Sequence, residues 1–555
     1  MDKKYNRRVT GIYFIFVFLF LFISAKVFYL QVFKSDFFKR LAQNQHYRLL
    51  SLKGKRGDIL DSRGRILATS IGRYSVFADP SLIKDPLSVA KILSSELDLR
   101  QDFLLSRLRR KKRFVWLKRK ISLKGRDRIR ALKIKGIGFL REEERFYPQD
   151  SLSSSILGRV DIDNKGLEGL ELFYNDYLSG KDGWAQVLQD SSSQEVILSS
   201  NIVIPKRGAN LVLTVDAQIE YWAEQYLKDT IEKFSAEQGS VIVMNALSGE
   251  VYALVDYPNF NPNEFSLADL KNLKNKAVCD LFEPGSVFKI IALIAAINEK
   301  QFSDSDMIFC ENGNFKVPGT TLHDWRPYGD LTFKEVFMKS SNIGVAKVVE
   351  SLGAEKYSRY VNLYELGKTT GIDFPGETAG MVKPLSSWSK TSQYIIPIGQ
   401  EIGVNLLQLA RIFANIVNGG YLVQPHLVKS VCFDNFCRDI SINKKKVLSS
   451  ESAQRAKEIL IEVVEEGTGR NAALKDRRIG GKTGTAQKYD PKIGRYSPSK
   501  YRATFIGFID DLDPPLVIGV TIDEPKKSHF GGVVAAPVFK DIAEKVIKYI
   551  SGSKS

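Results

Sequence analysis

A serine and a lysine stand one helical turn apart in Glu283-Pro284-Gly285-Ser286-Val287-Phe288-Lys289, and the residues that follow, Ile290-Ile291-Ala292-Leu293-Ile294-Ala295-Ala296-Ile297, are apolar on nearly every face. Pro284 and Gly285 close an irregular segment and put Ser286 where a helix should begin. A run that is apolar all round belongs to a helix inside a large domain. The i, i+3 spacing sets both side chains on one face, with the Lys289 amine in reach of the Ser286 hydroxyl. Burial disfavours an ammonium, which lowers the lysine pKa and leaves a neutral amine able to take the serine proton. That is the arrangement of an activated nucleophile. S-x-x-K arises by chance in most chains of this length, so the pair needs company. Downstream, Lys339-Ser340-Ser341-Asn342 holds an S-x-N, and Gly480-Gly481-Lys482-Thr483-Gly484-Thr485 holds a K-T-G.

Other chemistries fail on the same residues. A Ser-His-Asp triad needs a histidine, and none of His46, His323, His426 and His529 accompanies a G-x-S-x-G. His323 lies near the S-x-N segment and either lines the cleft or belongs with Asp324 and Trp325 to a local structural cluster, the favoured reading. Gly481-Lys482-Thr483 looks like the end of a phosphate loop, but Asp476 stands where the first glycine would be. No H-E-x-x-H occurs, and Cys279, Cys310, Cys432 and Cys437 follow no metal-ligand spacing. Cys432 and Cys437 could bridge a hairpin in an oxidising compartment or stay reduced. The 555 residues, 44% hydrophobic, allow two or more domains. A net charge of +18 suits an anionic neighbour such as nucleic acid, lipid or polymer. No zinc-finger spacing, RNP-type motif or basic heptad helix is present, which argues against nucleic acid.

The elements that must position these groups can be followed along the chain. Residues 1–8, with Lys3, Lys4, Arg7 and Arg8, form a basic tail, and Val9 to Ala25 carries no charge. The apolar pattern runs past Lys26 to Phe33, so residues 9–33 suit one membrane span with Lys26 snorkelling outward. A cleaved signal peptide is the rival, but no A-x-A-like site follows the core. Residues 34–207 have a separate character. Arg56 to Ala68 reads as strand, turn at Arg63-Gly64 and strand, and no nucleophile, base or metal cluster appears. Arg107 to Lys135 is dense in cations, either a docking face for anionic headgroups or glycan precursors or the solvated side of an ordinary strand and helix. A polar turn at Pro205-Lys206-Arg207-Gly208 opens residues 208–555. There Asp216 should cap a helix to about Phe234, and Gly239–Met244 and Val251–Val255 should form a hairpin around the turn 245–250. With the S-x-x-K helix and the K-T-G strand, this is an α+β fold, an antiparallel sheet flanked by helices.

The three motifs stand in the order that penicillin-recognising serine enzymes require. At these residues the chain resembles the class B penicillin-binding proteins, membrane-anchored transpeptidases that cross-link peptidoglycan, and most closely the division-specific FtsI type, penicillin-binding protein 3. Arg56 to Ala68, Arg145-Phe146-Tyr147-Pro148 and Gly166-Leu167-Glu168-Gly169-Leu170-Glu171 match signatures of that family's non-catalytic domain, the last beginning a helix through Tyr177. Tyr257 to Asn263 and His529 to Phe539 match two more in its catalytic domain, and no binding module follows. The resemblance covers essentially the whole chain. It implies an elongated, dimerisation-type pedestal beneath a serine β-lactamase-like transpeptidase domain.

The resemblance also implies roles. Ser286 attacks the penultimate D-alanine of a stem peptide, Lys289 is the general base, Ser340 relays a proton, and Asn342 orients Lys289 and the substrate amide. Lys482 supplies a fixed positive charge that favours the deprotonated serine and helps attract the substrate carboxylate, Thr483 and Thr485 bind that carboxylate, and Gly484 leaves room for an extended peptide along its strand. The Ser286 and Thr485 N–H groups form the oxyanion hole. No cofactor or metal is implied. Expected partners are nascent glycan strands, β-lactams as inhibitors, and a polytopic glycosyltransferase of the SEDS class, FtsW type, with other division proteins. The expected location is the bacterial cytoplasmic membrane, N-terminus inside and catalytic domain in the periplasm. An elongation-specific or sporulation-type transpeptidase, or a non-catalytic scaffold, are the alternatives. The sequence leaves the acceptor amine open.

Overall fold

The computed structural model describes residues 3–37, 47–189, 195–491 and 494–552, so His46 lies outside the described residues. The chain divides into two compact units, residues 1–55 with 180–207, and residues 56–179 with 208–555. In the first, helix α1 (Lys3–Phe28) passes into a wider π turn, Tyr29–Phe33. Arg8–Phe33 is a 26-residue apolar stretch of mean hydropathy 2.3, with phenylalanines exposed on every side. At 1.5 Å per residue it is roughly 39 Å long, enough to cross a bilayer core. Strands Tyr47–Leu52, Gly183–Gln189 and Glu195–Val203 form an antiparallel sheet, with Gly183–Gln189 in the middle.

The second unit opens with the strand–turn–strand expected at residues 56–68. Ile59–Leu60 and Ile66–Ala78 pair across a turn in which Asp61 Oδ1 accepts the N–H groups of Arg63 (2.9 Å) and Arg65 (2.8 Å). The cation-rich stretch is strand Val115–Ile121 followed by helix Leu123–Ala131, capped by Ser122. Leu117 and Ile129 turn inward to a core with Leu93, Leu97 and Leu104. The three pedestal signatures meet at one carboxylate. Glu171, fully buried, accepts from Arg56 Nε (2.6 Å) and Arg145 Nε (2.5 Å), and both arginines are buried with it. Further donors are used as well, Arg56 on Glu171 O (2.7 Å) and Asn175 Oδ1 (2.9 Å), Arg145 Nη1 on Gly57 O (2.6 Å), while Arg145 Nη2 is buried without a partner among the described residues. Buried charge persists only when paired and hydrogen-bonded in this way.

Ile59–Leu60 also runs parallel to Asn210–Leu213, which pairs with Val428–Phe433. Residues 56–179 therefore share a sheet with the C-terminal region, and the expected division at 207/208 falls where the chain passes back from the first unit to the second. At the edge of that sheet Cys432 and Cys437 face each other across a hairpin and are joined by a disulfide.

The central sheet of the C-terminal region has strands β1 (Gln238–Asn245), β2 (Val251–Tyr257), β3 (Ile479–Asp490), β4 (Arg495–Ile509) and β5 (Leu516–Asp523). Their order is β2-β1-β5-β4-β3, antiparallel throughout, with β3 at one edge. Helices follow in chain order: α2 (Ala217–Phe234), α3 (Lys289–Asn298), α4 (Asn342–Leu352), α5 (Leu406–Val417), α6 (Ser450–Glu465) and α7 (Gly531–Gly552). Asp216 caps α2 by accepting the Gln218 N–H (2.8 Å). Because side chains alternate along a strand, Val241 and Val243 face one core with Leu227 of α2 and Phe539 of α7, while Ile242 and Met244 face a second core with α3 and α5. Lys289 to Ile297 is buried without a break, as its all-round apolar pattern requires.

Candidate active site

Ser286 sits in a 3-10 turn, Gly285–Phe288, and Lys289 is the first residue of α3, fully buried. The turn is held by backbone crowding. Gly285 has φ +55°, in the left-handed region, and its N–H donates to Gly399 O (3.2 Å). A β-carbon on Gly285 would lie 3.0 Å from Thr485 O, and one on Gly399 would lie 2.2 Å from Gly285 O. The turn thus rests directly on β3. Upstream, Glu283 accepts from the Glu401 N–H (2.9 Å) and the Tyr496 hydroxyl (2.9 Å), and burial pushes its carboxyl above the usual range. At Gly484 a β-carbon would meet Val287 Cγ2 at 2.7 Å and Pro284 O at 2.9 Å, so the absence of a side chain also makes room for the turn that carries Ser286.

The S-x-N segment is set by a carboxylate that sequence reasoning left as local structure. Asp324 Oδ1 accepts the Asn342 N–H (2.5 Å) and the Ile343 N–H (3.2 Å), and Oδ2 accepts the Ser341 hydroxyl (2.6 Å). Ser341 in turn caps α4 through the Gly344 N–H (2.8 Å). His323 contributes its carbonyl, which accepts Asn342 Nδ2 (2.8 Å), while its ring Nδ1 lies 2.8 Å from Asn314 Oδ1. Ser340 is held at φ +58°, a backbone state that a serine adopts only where its surroundings impose it.

These elements bring two buried amines to one hydroxyl. Lys289 Nζ donates to Ser340 O (2.6 Å), Asn342 Oδ1 (2.7 Å) and Ser340 Oγ (3.2 Å), and Lys482 Nζ reaches the same Oγ at 2.8 Å. The hydrogen bonds of Lys289 therefore run to the S-x-N segment, where the spacing had aimed the amine at Ser286. Burial pushes Lys289 down to about 7, opposed by the charge of Asp324. Lys482 is pushed well below the lysine range by burial and by the charge of Lys289. Two ammonium groups sharing one hydroxyl repel, so this environment disfavours both lysines being charged at once.

Ser286, Ser340, Asn342, Thr483 and Thr485 line one cleft of about 440 Å³, and Lys289, Lys482 and Gly484 lie behind its wall. Thr483 Oγ1 donates to Thr468 Oγ1 (2.9 Å), and Thr485 Oγ1 accepts the Gly531 N–H (3.1 Å) at the start of α7. The sequence reading missed Trp325, Thr468, Arg470 and Asn471 as lining residues. Gly467-Thr468-Gly469 was the one available sign, a glycine-bounded turn shortly before the K-T-G strand. The chain around His529 to Phe539 was singled out only as a signature, and its Phe530 to Val533 close the far side of the cleft.

Residues 239–544 match the penicillin binding protein transpeptidase domain, and residues 51–213 match the penicillin-binding protein dimerisation domain. This chain belongs to the penicillin-binding protein transpeptidase family. It is 32% identical to the probable peptidoglycan D,D-transpeptidase PenA of Neisseria meningitidis over 97% of this chain and 92% of that one. To the peptidoglycan D,D-transpeptidase FtsI of Escherichia coli it is 29% identical over 95% and 89%. The crystal structure of penicillin binding protein 3 from Mycobacterium tuberculosis, complexed with aztreonam, superposes with a TM-score of 0.71 at 27% identity, covering 90% of this chain and 97% of that one. The family has the α+β architecture expected here, an N-terminal apolar helix, a dimerisation domain and a transpeptidase domain.

Proposed function

We propose that this protein is a peptidoglycan D,D-transpeptidase of septal wall synthesis, working through an acyl-enzyme on Ser286. The observation that carries the reading is the convergence of the S-x-x-K turn, the S-x-N segment and the K-T-G strand on one cleft, with both lysine amines joined at Ser340 Oγ. Ser286 Oγ attacks the carbonyl of the penultimate D-alanine and loses its proton toward Lys289, whose lowered pKa keeps part of it neutral near pH 7. The bond to the terminal D-alanine breaks, and Ser340, touching both lysines, passes a proton to the leaving amine. An incoming stem-peptide amine then attacks the ester and regenerates the serine. The Ser286 and Thr485 N–H groups stabilise the oxyanion, each worth about 100- to 1,000-fold. β3 is an edge strand, so an extended donor peptide can pair with it as an added strand, with Thr483 and Thr485 at its carboxylate.

Arg8–Phe33 anchors the protein in the cytoplasmic membrane with the basic tail inside. The remainder works outside the membrane, where a Cys432–Cys437 disulfide is stable. Nascent glycan strands, a SEDS-type glycosyltransferase of the FtsW type and other division proteins are the proposed partners, and β-lactams acylate the same serine. The test uses the full chain in detergent, incubated with a penicillin and analysed by intact mass and peptide mapping. A stable adduct is expected on the Ser286 peptide and none in Ser286→Ala. Full labelling of Ser286→Ala would sink the assignment.

A further inference from the structure

Among the described residues that line the cleft, Arg470 is the single charged side chain. The lysine expected to draw in the substrate carboxylate is elsewhere engaged, since Lys482 is buried and its amine is turned to Ser340 Oγ at 2.8 Å. Thr483 and Thr485 can donate hydrogen bonds to a carboxylate, but a hydroxyl brings no countercharge. Arg470 is exposed, and no carboxylate of the described residues pairs with it. Its backbone is nonetheless fixed. Thr468 accepts from Thr483 Oγ1 (2.9 Å), Asn471 Nδ2 donates to Gly532 O (2.7 Å), and Ala472 is fully buried. The segment 468–472 is thereby tied both to the K-T-G strand and to the first turn of α7. An unpaired guanidinium is planar, always charged and matched to a carboxylate in two-point geometry.

We propose that Arg470 is the counter-ion for the C-terminal carboxylate of the donor peptide, a specificity residue selecting substrates that end in a free acid. The inference rests on the transpeptidase reading of the cleft, and the experiment separates the two. Second-order acylation rates of the full chain are measured with benzylpenicillin and with its methyl ester, in wild type, Arg470→Gln and Arg470→Lys. Arg470→Gln should slow the free acid by about 10- to 100-fold, the usual worth of a charge-assisted hydrogen bond, and leave the ester unchanged. Arg470→Lys should restore most of the loss, and added salt should slow the acid in wild type more than in Arg470→Gln. Equal slowing of acid and ester, or no slowing of either, would overturn the proposal. No adduct from either compound in wild type would overturn the transpeptidase reading itself, and this inference with it.

Discussion

The acylation rate should climb with pH in a single step centred near 7, because Lys289 is pushed down to about 7 and acts only when neutral. At that pKa the neutral fraction is about one-tenth at pH 6 and about nine-tenths at pH 8, so the rate rises roughly tenfold between them. Asp324→Asn provides the sharper perturbation. The Asp324 charge opposes burial by favouring the Lys289 ammonium, so removing it lowers the lysine pKa further and moves the step toward acid. Asp324 bonds to the Asn342 backbone and not to Lys289, and it acts on the amine through its charge alone, so the substitution moves the step while the Lys289–Asn342 contact stays in place. Asparagine keeps an oxygen for the Asn342 N–H, so the start of α4 retains its acceptor. The assay is stopped-flow acylation by a fluorescent penicillin under single-turnover conditions from pH 5.5 to 9. A flat profile between pH 6 and 8 in wild type, or an alkaline shift in Asp324→Asn, would refute the reasoning.

Other perturbations probe the parts that carry the site. Glu171→Ala would leave Arg56 and Arg145 buried without their counter-ion, a loss of about 3–5 kcal/mol. Denaturant unfolding reads it, and a loss below about 1 kcal/mol would mean the cluster is solvated. Gly484→Ala puts a methyl group 2.7 Å from Val287 Cγ2, an overpacking worth about 1–3 kcal/mol that displaces the nucleophile turn. Acylation should fall by about 100-fold, and an unchanged rate would show that β3 and the turn do not touch.

Local signals were legible and long-range ones were not. Asp216 announced α2, apolar runs on either side of a turn announced β1 and β2, and Arg63-Gly64 announced its turn, because caps, short strands and turns are written in neighbouring residues. The three motifs could be read in order for the same reason. What the spacing could not say is where the Lys289 amine points, since its partners Ser340 and Asn342 lie more than fifty residues downstream. Arg56, Arg145 and Glu171 were visible as three separate phrases, and only the fold shows that they are one ion cluster. Asp324 and Arg470 carry no local mark that separates them from ordinary loop residues, and Thr468 carries only its two flanking glycines. The second reason for a glycine at 484 was not legible, because the neighbour that forbids a side chain, Val287, is brought there by tertiary packing.

The glycines around Ser286 limit how such a target can escape a drug. Gly285, Gly399, Gly484 and Gly531 bring main chain against main chain, and a β-carbon on Gly531 would lie 2.4 Å from Gly484 O. A wall without side chains offers selection almost nothing to vary, since each replacement would dislodge the turn that carries Ser286. Adaptive change is therefore driven outward to the rim, to Trp325, Phe530 and Val533, where a side chain can be exchanged while the buried amines stay in place.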